Sequence, residues 1–151
     1  MDSFLIKYSD KNIREKRISS FFKNFIYPSL KLNHFKNLNL EIGCGHGHWL
    51  NAYSKSYKED LSIGIDLNTK RIEKAKSKKF ANNLENLFFL KTEAIEFLTS
   101  MPKDLKFSNF FIFFPDPWPK NRHHKRRLIQ PHFLEFLELN STPKSKLFFR
   151  T

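Results

Sequence analysis

Two stretches of this chain hold residue types at spacings that could do chemistry. The first, EIGCGHG, puts Gly43, Gly45 and Gly47 at alternate positions, with Glu41 just ahead of them. Such glycines let a backbone turn tightly and come close to a ligand. A dinucleotide site would want Gly-x-Gly-x-x-Gly, but position 48 is His, so that pattern fails. No basic residue follows the turn directly, and a diphosphate is not expected there. Asp66 closes the apolar run LSIGID, where a carboxylate could accept from two ribose hydroxyls. The second stretch, FFPDPWPKNRHHKRR (113–127), holds Asp116 between Pro115 and Pro117, then Trp118 and the cations Lys120, Arg122, Lys125, Arg126 and Arg127. Prolines on both sides restrict the backbone and fix the direction of the carboxylate. That acid could accept from the N–H groups of a guanine's Watson–Crick edge while the cations hold phosphates.

The elements that must position these residues alternate strand and helix. Strands are predicted at LNLEIG (38–43), LSIGID (61–66), NLFFLK (86–91), FSNFFIFF (107–114) and KLFFR (146–150). Helical spacing marks HWLNAYSKSY, TKRIEKAKSKKFANN with Thr69 as N-cap, EAIEFLTSM ended by Pro102, and RRLIQPHFLEFLEL with Pro131 offsetting its start. Ile18, Phe21, Phe22, Phe25 and Ile26 predict an amphipathic N-terminal helix that Pro28 closes. Strands that read as continuous apolar runs point to a mostly parallel α/β sheet with helices on both faces. Ligands of such sheets bind beyond the carboxyl ends of the strands. The loops at 43–48, 66–68, 91–94 and 115–122 should therefore share one rim.

Composition bounds the partners. With 151 residues, 40 % hydrophobic and 16 % aromatic, the chain can build one core and one domain. No apolar run approaches the roughly 20 residues of a membrane span, no signal-peptide pattern opens the chain, and Cys44 has no second cysteine to pair with. A cytoplasmic protein is expected. The net charge of +12 favours a polyanionic partner, nucleic acid ahead of a membrane surface. Cys44, His46 and His48 raise a metal site, but alternate positions in a tight turn rarely converge on one ion, so no metal is expected. Glu93 follows the third strand, where an acid either holds an adenine amino group or favours the positive end of a helix.

The Gly-x-Gly-x-Gly turn with its preceding acid resembles that of nucleoside-dependent methyltransferases. With GID and above all FFPDPWPKNRHHKRRLIQPHFL, residues 38–151 resemble the bacterial tRNA (guanine-N(7)-)-methyltransferase family. The resemblance implies a Rossmann-like class I fold and transfer of the methyl group of S-adenosylmethionine to N(7) of a guanine at position 46 of the tRNA variable loop. It implies cofactor contacts from Glu41, the Gly43–Gly47 turn, Asp66 and Glu93, a catalytic and cofactor-contacting role for Asp116, and a substrate contact from Lys120. Arg122, Lys125 and Arg126 are expected to hold tRNA. Residues 1–37 are read as a helical extension and 38–151 as a methyltransferase domain lacking its last two strands. Asp66 stands where the family more often has Glu, and Glu93 where it more often has Asp. The family also continues past Thr151 with an Asp. Two other readings stay open: a weak or inactive cofactor- or RNA-binding fragment, and a base amino-group methyltransferase, whose Asp/Asn-Pro-Pro-aromatic turn DPWP departs from. Monomer and homodimer are both open.

Overall fold

The computed structural model describes residues 10–113 and 128–150. The N-terminal helix runs as α1 (Lys11–Phe21), a π-helical segment (Phe22–Ile26) and α2 (Tyr27–Leu32). Asp10 caps it, its side chain accepting from the Asn12 amide at 2.7 Å. The helix passes through Pro28 instead of closing there. Proline lacks an N–H and its ring crowds the carbonyl four residues back. The wider turn just ahead, where the Tyr27 amide donates to the Phe22 carbonyl, lets the chain absorb that ring without stopping.

Beyond it come β1 (Asn37–Ile42), α3 (His48–Ser56), β2 (Asp60–Asp66), α4 (Thr69–Ala81), β3 (Leu87–Lys91), α5 (Ala94–Ser100), β4 (Phe107–Phe113), α6 (Pro131–Leu139) and β5 (Ser141–Arg150). The five strands form one parallel sheet in the order β3-β2-β1-β4-β5. The chain winds outward from β1 to β3, then crosses back to β4, so the switch point lies between β1 and β4. Three local expectations shift. The α4 cap is Asn68, whose side chain accepts from the Arg71 amide at 3.1 Å, and Thr69 is the first helical residue. Pro131 begins α6, where its missing N–H removes nothing from the helix ladder. β5 starts five residues earlier than KLFFR, with a register shift between its Phe107 and Asn109 pairings. Phe114, expected to end strand four, lies outside the described residues.

The two faces of the sheet differ in kind. One carries Leu38, Leu40 and Ile42 of β1, Leu61, Ile63 and Ile65 of β2, and Phe110 and Ile112 of β4. Ile18, Phe21, Phe22 and Ile26 of the N-terminal helix, Phe97 of α5, and Phe133 and Leu137 of α6 pack on it. Alternation sends the residues between them to the other face. Register places Asn39, Glu41, Ser62, Gly64, Asn109 and Phe111 there. Here α3 and α4 cover the sheet through Leu50, Ile72 and Ala75. Thus β1, NLNLEI, alternates cleanly, yet both its sides are covered: Asn39 is 0 % and Glu41 3 % exposed. No helix among the described residues is long and apolar enough to cross a membrane.

Candidate cofactor site

The glycine turn is held from β2. The amides of Gly43 and Cys44 both donate to the Ile65 carbonyl, at 2.9 and 3.0 Å. Asp66 grips the turn and its own loop: Oδ2 accepts from the Gly45 amide at 3.0 Å and Oδ1 from the Asn68 amide at 2.9 Å. The carboxylate expected to await a ribose is thus already structural. Each oxygen retains a second lone pair for a further donor. The turn needs its glycines for two reasons. Gly43 and Gly45 have φ of +73° and +57°, and a Cβ on either would meet nothing within 4 Å, so their backbone faces open space. Gly47, φ +73°, has no such room: its Cβ would lie 2.6 Å from that of Ala75, because the turn presses onto α4.

Glu41 sits at the end of β1 beneath this turn. Its Oε1 is buried with no hydrogen-bond partner among the described residues, and burial first, then the nearby Asp66, pushes its pKa up to about 8. An unpaired buried carboxyl is costly to keep, and this one lines a cleft of about 1120 Å³ together with Gly43, Cys44 and His46. The missing partner fits a cationic donor entering from that cleft. Cys44 is buried and its thiol is pushed up by burial, Glu41 and Asp66, so it is a poor nucleophile and a poor metal ligand. Among the described residues no three His, Cys, Asp or Glu side chains gather as a metal site. His46 is exposed, its pKa lowered by desolvation and by Lys74, Lys78 and Arg71.

Glu93 caps α5. Its two carboxylate oxygens accept from the amides of Ile95 and Glu96, at 3.0 and 2.8 Å, and the side chain is otherwise exposed. The helix-terminal alternative is therefore realised. The Thr92 amide donates to the Asp66 carbonyl, so this cap stands beside the turn after β2. Glu41, Asp66, Glu93 and the glycine turn all lie at carboxyl ends of strands, which accounts for three of the four loops expected on one rim; the fourth, 115–122, lies outside the described residues. Asp116, Lys120, Arg122, Lys125 and Arg126 lie outside the described residues.

Two features escaped the sequence reading. Asp60, 3 % exposed, accepts from the Asn37 and Asn39 side-chain amides and from the Tyr53 hydroxyl, at 2.9, 3.1 and 2.8 Å. Asn39 in turn accepts from the Asn109 amide at 2.9 Å. This network is what lets polar β1 residues occupy a covered face. The second feature is an aromatic floor. Trp49 and Tyr53 of α3 and Tyr57 at its C-cap stack with centroids 5.1 and 4.5 Å apart, and Trp49 meets Phe111 and Phe113 at 4.7 and 4.6 Å. Their i, i+4, i+8 spacing is a signal readable in HWLNAYSKSY. The alternation of NLNLEI likewise announced a polar face.

Comparison with known proteins places this geometry in a family. Residues 36–151 match the model of a family described as putative methyltransferase. A tRNA (guanine-N(7)-)-methyltransferase of Prochlorococcus marinus (strain MIT 9515) is 33 % identical over 146 residues, covering 90 % of this chain and 70 % of that protein. One of Oceanobacillus iheyensis is 41 % identical over 103 residues, covering 68 % and 48 %. One of Prochlorococcus marinus (strain AS9601) is 36 % identical over 116 residues, covering 75 % and 55 %. The chain spans about half the length of most such relatives. Two solved structures share the fold: PKMT2 from Rickettsia typhi in complex with AdoHcy (TM-score 0.59, 21 % identity, 75 % of this chain and 20 % of that one), and a SAM-dependent methyltransferase from Thiobacillus denitrificans in complex with S-adenosyl-L-homocysteine (TM-score 0.55, 15 % identity, 89 % and 47 %). The sheet is thus that of the Rossmann-like methyltransferases, and the chain belongs to the tRNA (guanine-N(7)-)-methyltransferase family.

Proposed function

We propose that this chain carries the cofactor half and the base-presenting stretch of an enzyme that methylates N(7) of a guanine in the variable loop of tRNA, at position 46, with S-adenosylmethionine as donor, acting in the cytoplasm. The observation that carries the reading is the buried Oε1 of Glu41, without a partner among the described residues, on a side chain that lines a cleft under a positive-φ glycine turn. When bound, the cofactor supplies an electrophilic methyl group on a sulfonium sulfur.

Glu41 would hold the ammonium group of the cofactor's methionine part, the charged donor its Oε1 lacks. The open backbone of Gly43 and Gly45 would let the ligand lie against the turn. Asp66 would take the ribose hydroxyls on its remaining lone pairs, and Glu93 the adenine amino group on its own. Guanine N(7) bears an in-plane lone pair and no proton, so no general base is required. A bound S-adenosylmethionine would supply the methyl group to that lone pair and would keep the electrons of the S–C bond as a neutral thioether, so the residues of this chain would need only to bind and align the two partners. Catalysis is then chiefly alignment. Asp116 would orient the base through its Watson–Crick N–H groups and stabilise the positive charge developing on the ring. Lys120, Arg122, Lys125 and Arg126 would hold backbone phosphates around it.

The test is methyl transfer from labelled S-adenosylmethionine to unmodified tRNA, with the product base identified by mass spectrometry. The reading expects 7-methylguanine, lost in Asp116→Asn. A methyl group on an exocyclic amine, or an Asp116→Asn variant of near-normal turnover, would overturn it.

A further inference from the structure

From the composition of the sheet face that carries Glu41, we propose that β5 and the aromatic floor beside it form a platform for single-stranded RNA flanking the target base. This inference rests on the tRNA reading above and adds the surface that would hold the strand. Register puts Lys146 beside Asn109, Phe148 beside Phe111 and Arg150 beside Phe113, all on the face that carries Glu41. On that face α3 and α4 cover β1, β2 and β3, and no described residue covers β5. Lys146 and Arg150 are exposed, and neither forms an ion pair among the described residues. Phe148 is 44 % exposed and stacks on Phe111 with centroids 5.4 Å apart.

The strand therefore presents cation, ring, cation, at intervals of about 6.6 Å between alternate residues. From Phe148 the rings continue without a break through Phe111 to Trp49 and Phe113, at the mouth of the cleft that Glu41 lines. An apolar partner would bury Phe148 but strand two charges beside it. A polyanion with flat bases satisfies both: bases stack on the rings while phosphates meet Lys146 and Arg150. The opposite side of the same strand shows that the pattern is particular to this face, since Leu147 and Phe149 there carry no charge.

The experiment measures binding of a fluorescent oligouridylate ten nucleotides long to the full chain at several salt concentrations, with light scattering on each variant. Lys146→Glu/Arg150→Glu should flatten the plot of log affinity against log salt by about 1.4, the amount expected when two single-strand phosphate contacts are lost. Phe148→Ala should weaken binding roughly tenfold with the slope unchanged, because it removes stacking and no charge. A blunt RNA duplex, whose bases are already stacked, should be insensitive to Phe148→Ala. Thr142→Ala, on β5 but outside the lining of the cleft, controls for damage to the edge and should leave both quantities as in wild type. Wild-type binding to the oligonucleotide with an unchanged slope in the charge-reversal variant would overturn this platform and leave the tRNA reading intact. Absence of any RNA binding by the wild type would overturn both. A mass that drops from dimer to monomer in Phe148→Ala, with RNA affinity unmoved, would mean that a second copy covers this face and would also overturn the platform.

Discussion

The two faces of the sheet are built from the same strands, yet they do different work. On one, every inward residue of β1 and β2 is aliphatic, and the N-terminal helix, α5 and α6 close over them. The described side chains that β1 and β2 turn to this face are all aliphatic and offer no polar group to a ligand. On the other, the alternate residues of the same strands are Asn39, Glu41, Ser62 and Asp66. Most of them are reconciled to burial by one another, through Asp60 and Tyr53 at one end and the Asp66–Gly45 bond at the other. Glu41 is the exception. The lesson is that a parallel sheet can divide its labour by residue parity: one face supplies stability, and the other spends some of it on a site.

That division can be broken by experiment. Phe110→Ala, on the aliphatic face at 1 % exposure, should cost about 3–5 kcal/mol, read as a large fall in the thermal midpoint. A similar loss from Phe148→Ala would mean that both faces are core. Glu41→Gln should act in the opposite sense. Because burial raises the Glu41 pKa from 4.5 to about 8, the folded state binds the extra proton more tightly than the unfolded one. Wild-type stability from this group is complete below pH 4.5 and is lost as pH rises through 8, a change on the order of 5 kcal/mol. Glu41→Gln should match the wild type at low pH and exceed it at pH 9, as denaturant unfolding at the two values will show. Gly47→Ala should cost about 2 kcal/mol from its positive φ and the collision with Ala75, with loss of cofactor binding. Arg14→Ala removes a contact in which Nε donates to both Glu96 oxygens, at 2.9 and 3.0 Å. With the pair partly exposed, the cost should be about 0.5–1 kcal/mol, the smallest of the four and without effect on either face.

How far the sequence foretold this depends on where each residue's partners lie. β1 to β4 and the helices after β1, β2 and β3 were legible within a residue or two, because their apolar periods are local, whereas α6 begins at Pro131, five residues inside the stretch RRLIQPHFLEFLEL that reads as helical. The cap at Asn68 was read one residue late, since Thr69 is an equally good capping type and only backbone geometry separates the two. Pro28 was misread as a stop because a π-turn leaves no mark in composition. The glycine turn and its acids were legible from spacing. Their internal use was not: that Asp66 holds Gly45, or that Glu93 caps its own helix, depends on distances between loops that sequence does not encode one by one. The Asp60 network was hidden for the same reason, its members coming from β1, α3, β2 and β4.

The claim that the polar face holds a cationic nucleoside ligand against Glu41 is tested most directly by calorimetric titration of S-adenosylmethionine at pH 6.5, in two buffers of different ionisation enthalpy. Below its raised pKa, Glu41 must lose a proton to pair with the ligand's ammonium group. The wild type should therefore release about one proton per cofactor bound, the difference between its protonation states on either side of that pKa. Glu41→Gln should bind far more weakly and release none. Equal affinity in the two proteins, or binding with no proton released by the wild type, would contradict the assignment of Glu41 and with it the account of this face.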